Sequence, residues 1–334
     1  MGIVYDIFET CCKKKSKKKQ FNVFGLKNLG NTCFMNSSLQ CIFNSNKLIE
    51  NIEKINTENS NKLRLIKEIS LLQKEQEKGE TILDPKKIKD ILGETIEKYR
   101  YNEQNDANEF IILFLNHLLK ELYEIGKYEP GKIPINEIEL EAFNKLEKKF
   151  FLKNKCFLLN LFYGRLKKEY YCENGHLCLI KFNNFSSITL PPYEDKNELV
   201  DLLKVYQGNK KINDTIFCDI CKAKKYYSIK TIIYNIPEYF IISLEKEKLY
   251  SSNGIKYPQI LETKDFMDTK NNEKYSLISL IVYFGDKKSG HYTSKCKKNN
   301  NWYHISDTIF RSIDQNEIND KNTKILFYEK ISEK

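Results

Sequence analysis

Residues 25–40 read GLKNLGNTCFMNSSLQ, and the place of the cysteine in that stretch decides how the rest of the chain is read. Gly30, Asn31 and Thr32 form a turn signal, and Met35, Leu39, Ile42 and Phe43 recur at helical spacing. The pattern predicts a helix over 32–44 with Thr32 as its cap. Cys33 then lies in the first turn, where free backbone N–H groups and the positive end of the helix dipole lower a thiol's pKa. The two glycines of the stretch let the backbone come close to a substrate carbonyl. A cysteine at a helix start is more often structural than nucleophilic, so the reading requires a base. Cys41, in mid-helix, reads as a packed, inert thiol.

The chain has four histidines. His117 continues a helix face, and His176 lies beside Cys172 and Cys178. Of the remaining two, His291 sits in SGHYTSKC (289–296), where a glycine introduces a strand and leaves room for a substrate backbone beside the ring. His291 is therefore the better base, and His304 the poorer. Ten residues on, NWYHISDTIF (301–310) offers two neighbouring groups to hold that ring, Ser306 and Asp307.

Further helices are predicted over 61–76, over 84–98 with Asp84 as cap and Pro85 at the first position, over 105–122 and over 135–150. The texture then turns β-branched and aromatic: FLLNLFYG (157–164), CLIKF (178–182), KKYYSIKTIIY (224–234), YFIISL (239–244), YSLISLIVYF (275–284) and KILFYEK (324–330) read as strands. A helical half followed by a strand-rich half is an α+β arrangement, with a site expected in the cleft between them.

The formal charge is +10, but six lysines set against Asp6 and Glu9 give residues 1–20 a charge of +4, leaving +6 spread over the rest. No arginine-rich stripe with interleaved aromatics appears, so nucleic acid is not read as a partner. Ten cysteines without a cleavable signal peptide fit reduced thiols in the cytoplasm better than a disulfide framework. The first 20 residues form a basic tail, and Gly2, Cys11, Cys12 and KKKSKKK (13–19) make it a candidate lipid anchor at the cytosolic face of a membrane. Asp6 stands where a myristoylation pattern takes Ser or Thr, and a plain solvated tail is the alternative reading.

The stretch around Cys33, the SGHY around His291 with Trp302 and Tyr303 downstream, and YNEQNDANEF (101–110) between them together resemble the ubiquitin-specific protease family. These are papain-like cysteine peptidases built as a helical thumb, a β-rich palm and β fingers. The resemblance covers roughly residues 22–330, and residues 21–332 are read as one catalytic domain. It implies hydrolysis of the bond after the C-terminal glycine of ubiquitin through a Cys33 thioester, with ubiquitin and ubiquitinated proteins as partners and no cofactor for catalysis. It further implies His291 as base, Asn28 as donor to the oxyanion, and Gln104, Asp106 and Tyr292 as contacts to the incoming tail. From the residues alone, Asp106 is an acid near a helix start, where acids commonly sit.

Several positions depart from the family pattern. Aligned on Trp302, Ser306 falls where the family has the acid or amide that orients the histidine, and Asp307 matches the acid after it. A hydroxyl can accept the ring N–H but stabilises an imidazolium less than a carboxylate does. Asp307 could serve in its place only if the chain is irregular there, because neighbours on a strand face opposite sides. The family's finger zinc would draw on Cys172, His176, Cys218 and Cys221, with Cys178 the alternative to His176; a zinc-free finger is the other reading. Glu245, Lys246 and Glu247 replace the family's Lys-Arg-Phe. Two rival readings follow from these departures: a catalytically silent ubiquitin-binding scaffold, and a protease for another ubiquitin-like modifier.

Overall fold

The structure, a computed structural model, describes residues 23–57, 61–125, 156–193, 196–245, 254–268, 272–285 and 289–332. The basic tail with its candidate anchor, the helix expected over 135–150 and Lys246 with Glu247 lie outside the described residues.

The chain is α+β. Helix α1 (Cys33–Phe43) is buried along its whole length, so the single apolar stripe predicted for it understates its burial. It packs against α5 (Ala107–Ile125) and against a large sheet. Around it lie α2 (Asn46–Ile52), α3 (Arg64–Glu77) and α4 (Lys86–Thr95). At α4 the cap moves by one residue: Pro85 occupies the N-cap, and Asp84 Oδ1 accepts the Lys86 N–H at 3.0 Å. A short parallel pair, β1 (Gly25–Leu26) with β2 (Ile82–Leu83), ties the Cys33 loop to this helical lobe.

FLLNLFYG corrects one expectation. Phe157–Phe162 form a six-residue helix, α6, that buries Leu158, Leu159, Leu161 and Phe162, and the strand begins only at Gly164. A short apolar run has no periodicity long enough to separate the two states, and packing against α2, α5 and the Tyr239–Leu244 strand of the large sheet decides it.

That large sheet has eight strands. Its path runs β13 (Ile309–Ile313), β12 (Asn301–Ser306), β11 (Gly290–Lys298), β10 (Lys274–Gly285), β14 (Thr323–Lys330), β8 (Tyr239–Leu244) and β5 (Ile188–Leu190), with β9 (Ile260–Glu262) paired to β10. Its central strands are buried on both faces. Phe327, Ile325 and Ile281 join the core with α1, while Leu326, Tyr328 and Leu280 join a second core beneath the sheet that includes α7 (Leu199–Tyr206). A separate four-stranded sheet, β4 (Leu177–Phe185), β3 (Gly164–Cys172), β7 (Ala223–Asn235), β6 (Asn209–Cys218), projects from the body as two long hairpins. Helical lobe, large sheet and small sheet correspond to the thumb, palm and fingers that the resemblance implies. Among the described residues no helix is long and apolar enough to cross a membrane.

Candidate active site

The loop before α1 is shaped by Asn28. Its Oδ1 accepts the N–H groups of Gly30 and Thr32 at 3.0 and 3.2 Å, and the Thr32 hydroxyl at 3.3 Å. Two backbone donors on one atom fix which end of the amide is oxygen, so Nδ2 faces the other way. Gly30 and Asn31 both adopt positive φ, 95° and 53°, which suits glycine and is tolerated by asparagine. Thr32 does hold the N-cap position, but its hydroxyl accepts the Leu29 N–H at 2.8 Å instead of capping the helix. The glycines serve neighbours within the fold: a Cβ on Gly25 would fall 2.6 Å from Thr308 Cα, and one on Gly30 3.1 Å from the Asn102 side chain.

Cys33 is only 4% exposed. The pKa expectation drawn from helix position is overturned. Burial pushes the thiol up from its ordinary value, the Tyr292 backbone N–H draws it back, and the Asp307 carboxylate pushes it up again, for a net rise. Desolvation of the anion outweighs the helix N–H groups. The Tyr292 contact also places the thiol against β11, one residue from His291.

At the head of β11, His291 Nε2 lies 2.8 Å from Ser306 Oγ. Nδ1 has no hydrogen-bond partner among the described residues, and no hydrogen bond joins the ring to Cys33. Asp307 is turned away from the ring. Asp307 and Thr308 form the two-residue turn between β12 and β13, with Asp307 at φ 52°. This local irregularity sends its carboxylate to the Cys33 loop: Asn28 Nδ2 donates to Oδ2 at 2.9 Å, and Asn36 Nδ2 to Oδ1 at 2.7 Å. The Asp307 carbonyl accepts the Leu26 N–H at 2.8 Å. Ser306 therefore holds the histidine, and Asp307 holds the asparagine. Sequence reading missed Asn36, for which a signal existed: an amide amid the apolar residues of a helix needs a specific partner.

The segment before α5 lies alongside the same strand. Gln104 Nε2 donates to Gly290 O at 2.9 Å and its Oε1 accepts the Gly290 N–H at 3.3 Å, so both ends of the amide are tied to backbone next to His291. Asp106 starts α5, with Oδ1 accepting the Glu109 N–H at 3.0 Å. Its Oδ2 takes the Lys324 ammonium at 2.7 Å and the Tyr292 hydroxyl at 3.4 Å. Burial pushes this carboxyl up, but Lys324 and the α5 backbone N–H groups outweigh it and the net pKa is lowered. Tyr292 is raised, first by burial and then by the Asp106 charge.

The other histidines lie elsewhere. His304 is on β12 opposite Lys295, with burial and the Lys295 charge lowering its pKa. His117, on α5, faces Thr95 at the end of α4 and Glu121 one turn along α5. His176 belongs to the finger sheet, where the turns of two hairpins meet. Cys172, His176, Cys218 and Cys221 offer ligand atoms that all lie within 4.8 Å of one another. His176 Nδ1 is 3.6, 3.7 and 3.3 Å from the sulfurs of Cys172, Cys218 and Cys221. The Cys221 and Ile220 backbone N–H groups, the former the stronger, bring Cys218 down to about 6 despite desolvation. Cys178 stands outside the group: its thiol donates to the His176 carbonyl, and burial followed by Cys218 pushes it up to about 11.

A family model described as ubiquitin carboxyl-terminal hydrolase matches residues 24–328. Among curated proteins, the chain is similar to the probable ubiquitin carboxyl-terminal hydrolase 4 of Schizosaccharomyces pombe, at 26% identity over 88% of this chain and 56% of that protein. It is also similar to ubiquitin carboxyl-terminal hydrolase Usp2 of Drosophila melanogaster, at 24% identity over 97% of this chain and 36% of that protein. The chain thus spans about half or less of these relatives' length. Among solved structures, it shares its fold with a SAGA DUB module of Ubp8, Sgf11, Sus1 and Sgf73 bound to monoubiquitin, with a TM-score of 0.74 at 20% identity over 97% of this chain and 73% of that one. The same module bound to ubiquitin aldehyde gives a TM-score of 0.71.

Proposed function

We propose, for a chain that belongs to the ubiquitin carboxyl-terminal hydrolase family, that it is a thiol-dependent deubiquitinase using Cys33 as nucleophile and His291 as base. The observation that carries this reading is the paired tethering of the site. Ser306 Oγ is 2.8 Å from the His291 ring, and Asp307 holds Asn28 at 2.9 Å in the loop that leads into Cys33. The base has an orienting partner on one nitrogen, and its other nitrogen is unengaged among the described residues and available to the Cys33 proton; its chain neighbour Tyr292 brings a backbone N–H to the thiol.

The chemistry then follows. The Cys33 proton passes to His291, and the thiolate attacks the carbonyl carbon of the terminal glycine. The oxyanion is held by Asn28 Nδ2, whose second hydrogen is not needed by Asp307, and by the Cys33 backbone N–H. Collapse of the tetrahedral intermediate breaks the C–N bond as His291 returns the proton to the leaving amine, giving a thioester. Water, deprotonated by His291, cleaves the thioester and regenerates the thiol. Because the free thiol is raised by burial, its ionisation relies on His291 more than on the helix.

The finger group fits zinc. Tetrahedral Zn–S and Zn–N bonds of about 2.3 and 2.05 Å require ligand-to-ligand edges of roughly 3.6 Å, close to the three nitrogen–sulfur distances of the cluster. Cys172, His176, Cys218 and Cys221 would hold it, and its contribution would be to join two hairpin ends that share little core. Cys178 is outside the set whose ligand atoms all lie within 4.8 Å of one another, which favours His176 over it as the fourth ligand.

Hydrolysis of a fluorogenic C-terminal amide of ubiquitin tests the proposal. Release of fluorophore that is lost in Cys33→Ala supports it; no release by intact, folded protein returns the silent-scaffold reading.

A further inference from the structure

Lys324 enters the site from β14, the strand beside β10. Its ammonium lies 2.7 Å from Asp106 Oδ2 and 3.5 Å from the Tyr292 hydroxyl. It also lies 5.6 and 5.9 Å from the ring centres of Tyr283 and Tyr292, which pack 4.6 Å apart. A carboxylate flanked by two aromatic rings makes a receptor for a cation. Within the free protein that receptor is filled by the chain's own lysine.

The neighbourhood gives this occupancy a consequence. Tyr292 contributes its hydroxyl and ring to the receptor and its backbone N–H to the Cys33 thiol. The Asp106 group therefore lies beside the strand that borders the thiol. The ion pair is partly exposed, with side-chain exposures of 22% for Lys324 and 39% for Asp106. Water reaches and screens such a pair, so a competing cation can displace it. A guanidinium is the better competitor, because it can engage a carboxylate through two N–H groups and stack on tyrosine at the same time.

We propose that Lys324 is a specificity-determining residue: its ammonium occupies the Asp106–Tyr292–Tyr283 receptor until an incoming tail bearing a cationic side chain displaces it. This rests on the deubiquitinase reading. Lys324 sets a threshold that tails without a cation, which have no use for the receptor, do not meet in the same way.

The test uses the full chain and two fluorogenic ubiquitin amides, one with the native tail and one with every basic residue of its last six positions changed to glutamine. For the native tail, Lys324→Met lowers KM about two- to fivefold, the range a partly exposed ion pair supports, and the change is carried by KM instead of kcat. For the neutral tail, Lys324→Met leaves KM within twofold of the parent, whereas Lys324→Arg, which fills the receptor with the better-held guanidinium, raises KM for the native tail. An unchanged or raised KM of Lys324→Met for the native tail, or an equal fall for both tails, overturns the inference. Absence of turnover in the folded parent protein strikes the deubiquitinase reading itself, which separates the two failures. Circular dichroism of Lys324→Met and Lys324→Arg checks that both fold.

Discussion

Asp307 and Asn28 are 279 positions apart in sequence, and the Asp307 carboxylate accepts the Asn28 amide at 2.9 Å. The turn that ends β12 is thereby fastened to the loop that begins α1. The hydroxyl one residue earlier, on Ser306, is free to hold His291.

That division of labour separates two neighbouring substitutions. Loss of the single hydrogen bond in Ser306→Ala costs about tenfold in kcat/KM. Ser306→Asp, which offers a carboxylate to the ring, retains or raises activity. Steady-state hydrolysis of a ubiquitin amide measures both, and an active Ser306→Ala beside a dead Ser306→Asp would reverse the assignment.

Replacing the asparagine's anchor has a different signature. Asn28→Ala removes an oxyanion donor and lowers kcat by roughly 10²–10³-fold. Asp307→Ala leaves the donor present but unheld and gives a smaller loss. Alkylation of Cys33 by iodoacetamide persists in both, since neither removes thiol or base. If Asp307→Ala abolishes alkylation as well, Asp307 acts on the thiol and not on Asn28.

The pH dependence of alkylation follows from the raised Cys33 thiol. An acid whose pKa is raised holds its proton longer, so in the free protein thiolate accumulates, and alkylation accelerates, as pH climbs through and above 9.0, the ordinary value. Burial is the main cause and the Asp307 charge a further one. Asp307→Asn removes that charge and moves the profile toward lower pH. A profile that stays put or moves upward contradicts the electrostatic account.

Much of this was legible in the chain. Turn chemistry and helical spacing placed Cys33 at the start of α1, and the glycine before His291 marked the head of a strand. What escaped depended on packing between segments far apart. FLLNLF is helical because of what it packs against, not because of its own spacing. Lys324 lies within KILFYEK, which reads simply as a strand, and only folding brings it to Asp106. The direction of the Cys33 shift was misread because helix position is visible in sequence and depth of burial is not. The positive φ at Asp307, which turns its carboxylate away from His291, belongs to a two-residue hairpin whose flanking strands are short and mixed in pattern.

The finger cluster makes its own claim. If the four residues hold zinc as proposed, purified protein is expected to carry the metal, and a chelator or His176→Ala to lower its melting temperature by roughly 5 °C or more. His176→Cys restores most of the loss, and Cys178→Ala keeps metal content and melting temperature. Loss of metal in Cys178→Ala would give that thiol the role assigned to His176.

Whether Cys33 is a nucleophile addressed by the C-terminus of ubiquitin is read directly by mass spectrometry after exposure to ubiquitin bearing a C-terminal electrophile. One covalent adduct is expected, mapped by peptide fragmentation to Cys33 and absent in Cys33→Ala. No adduct on the folded protein, or an adduct that persists in Cys33→Ala, contradicts that role.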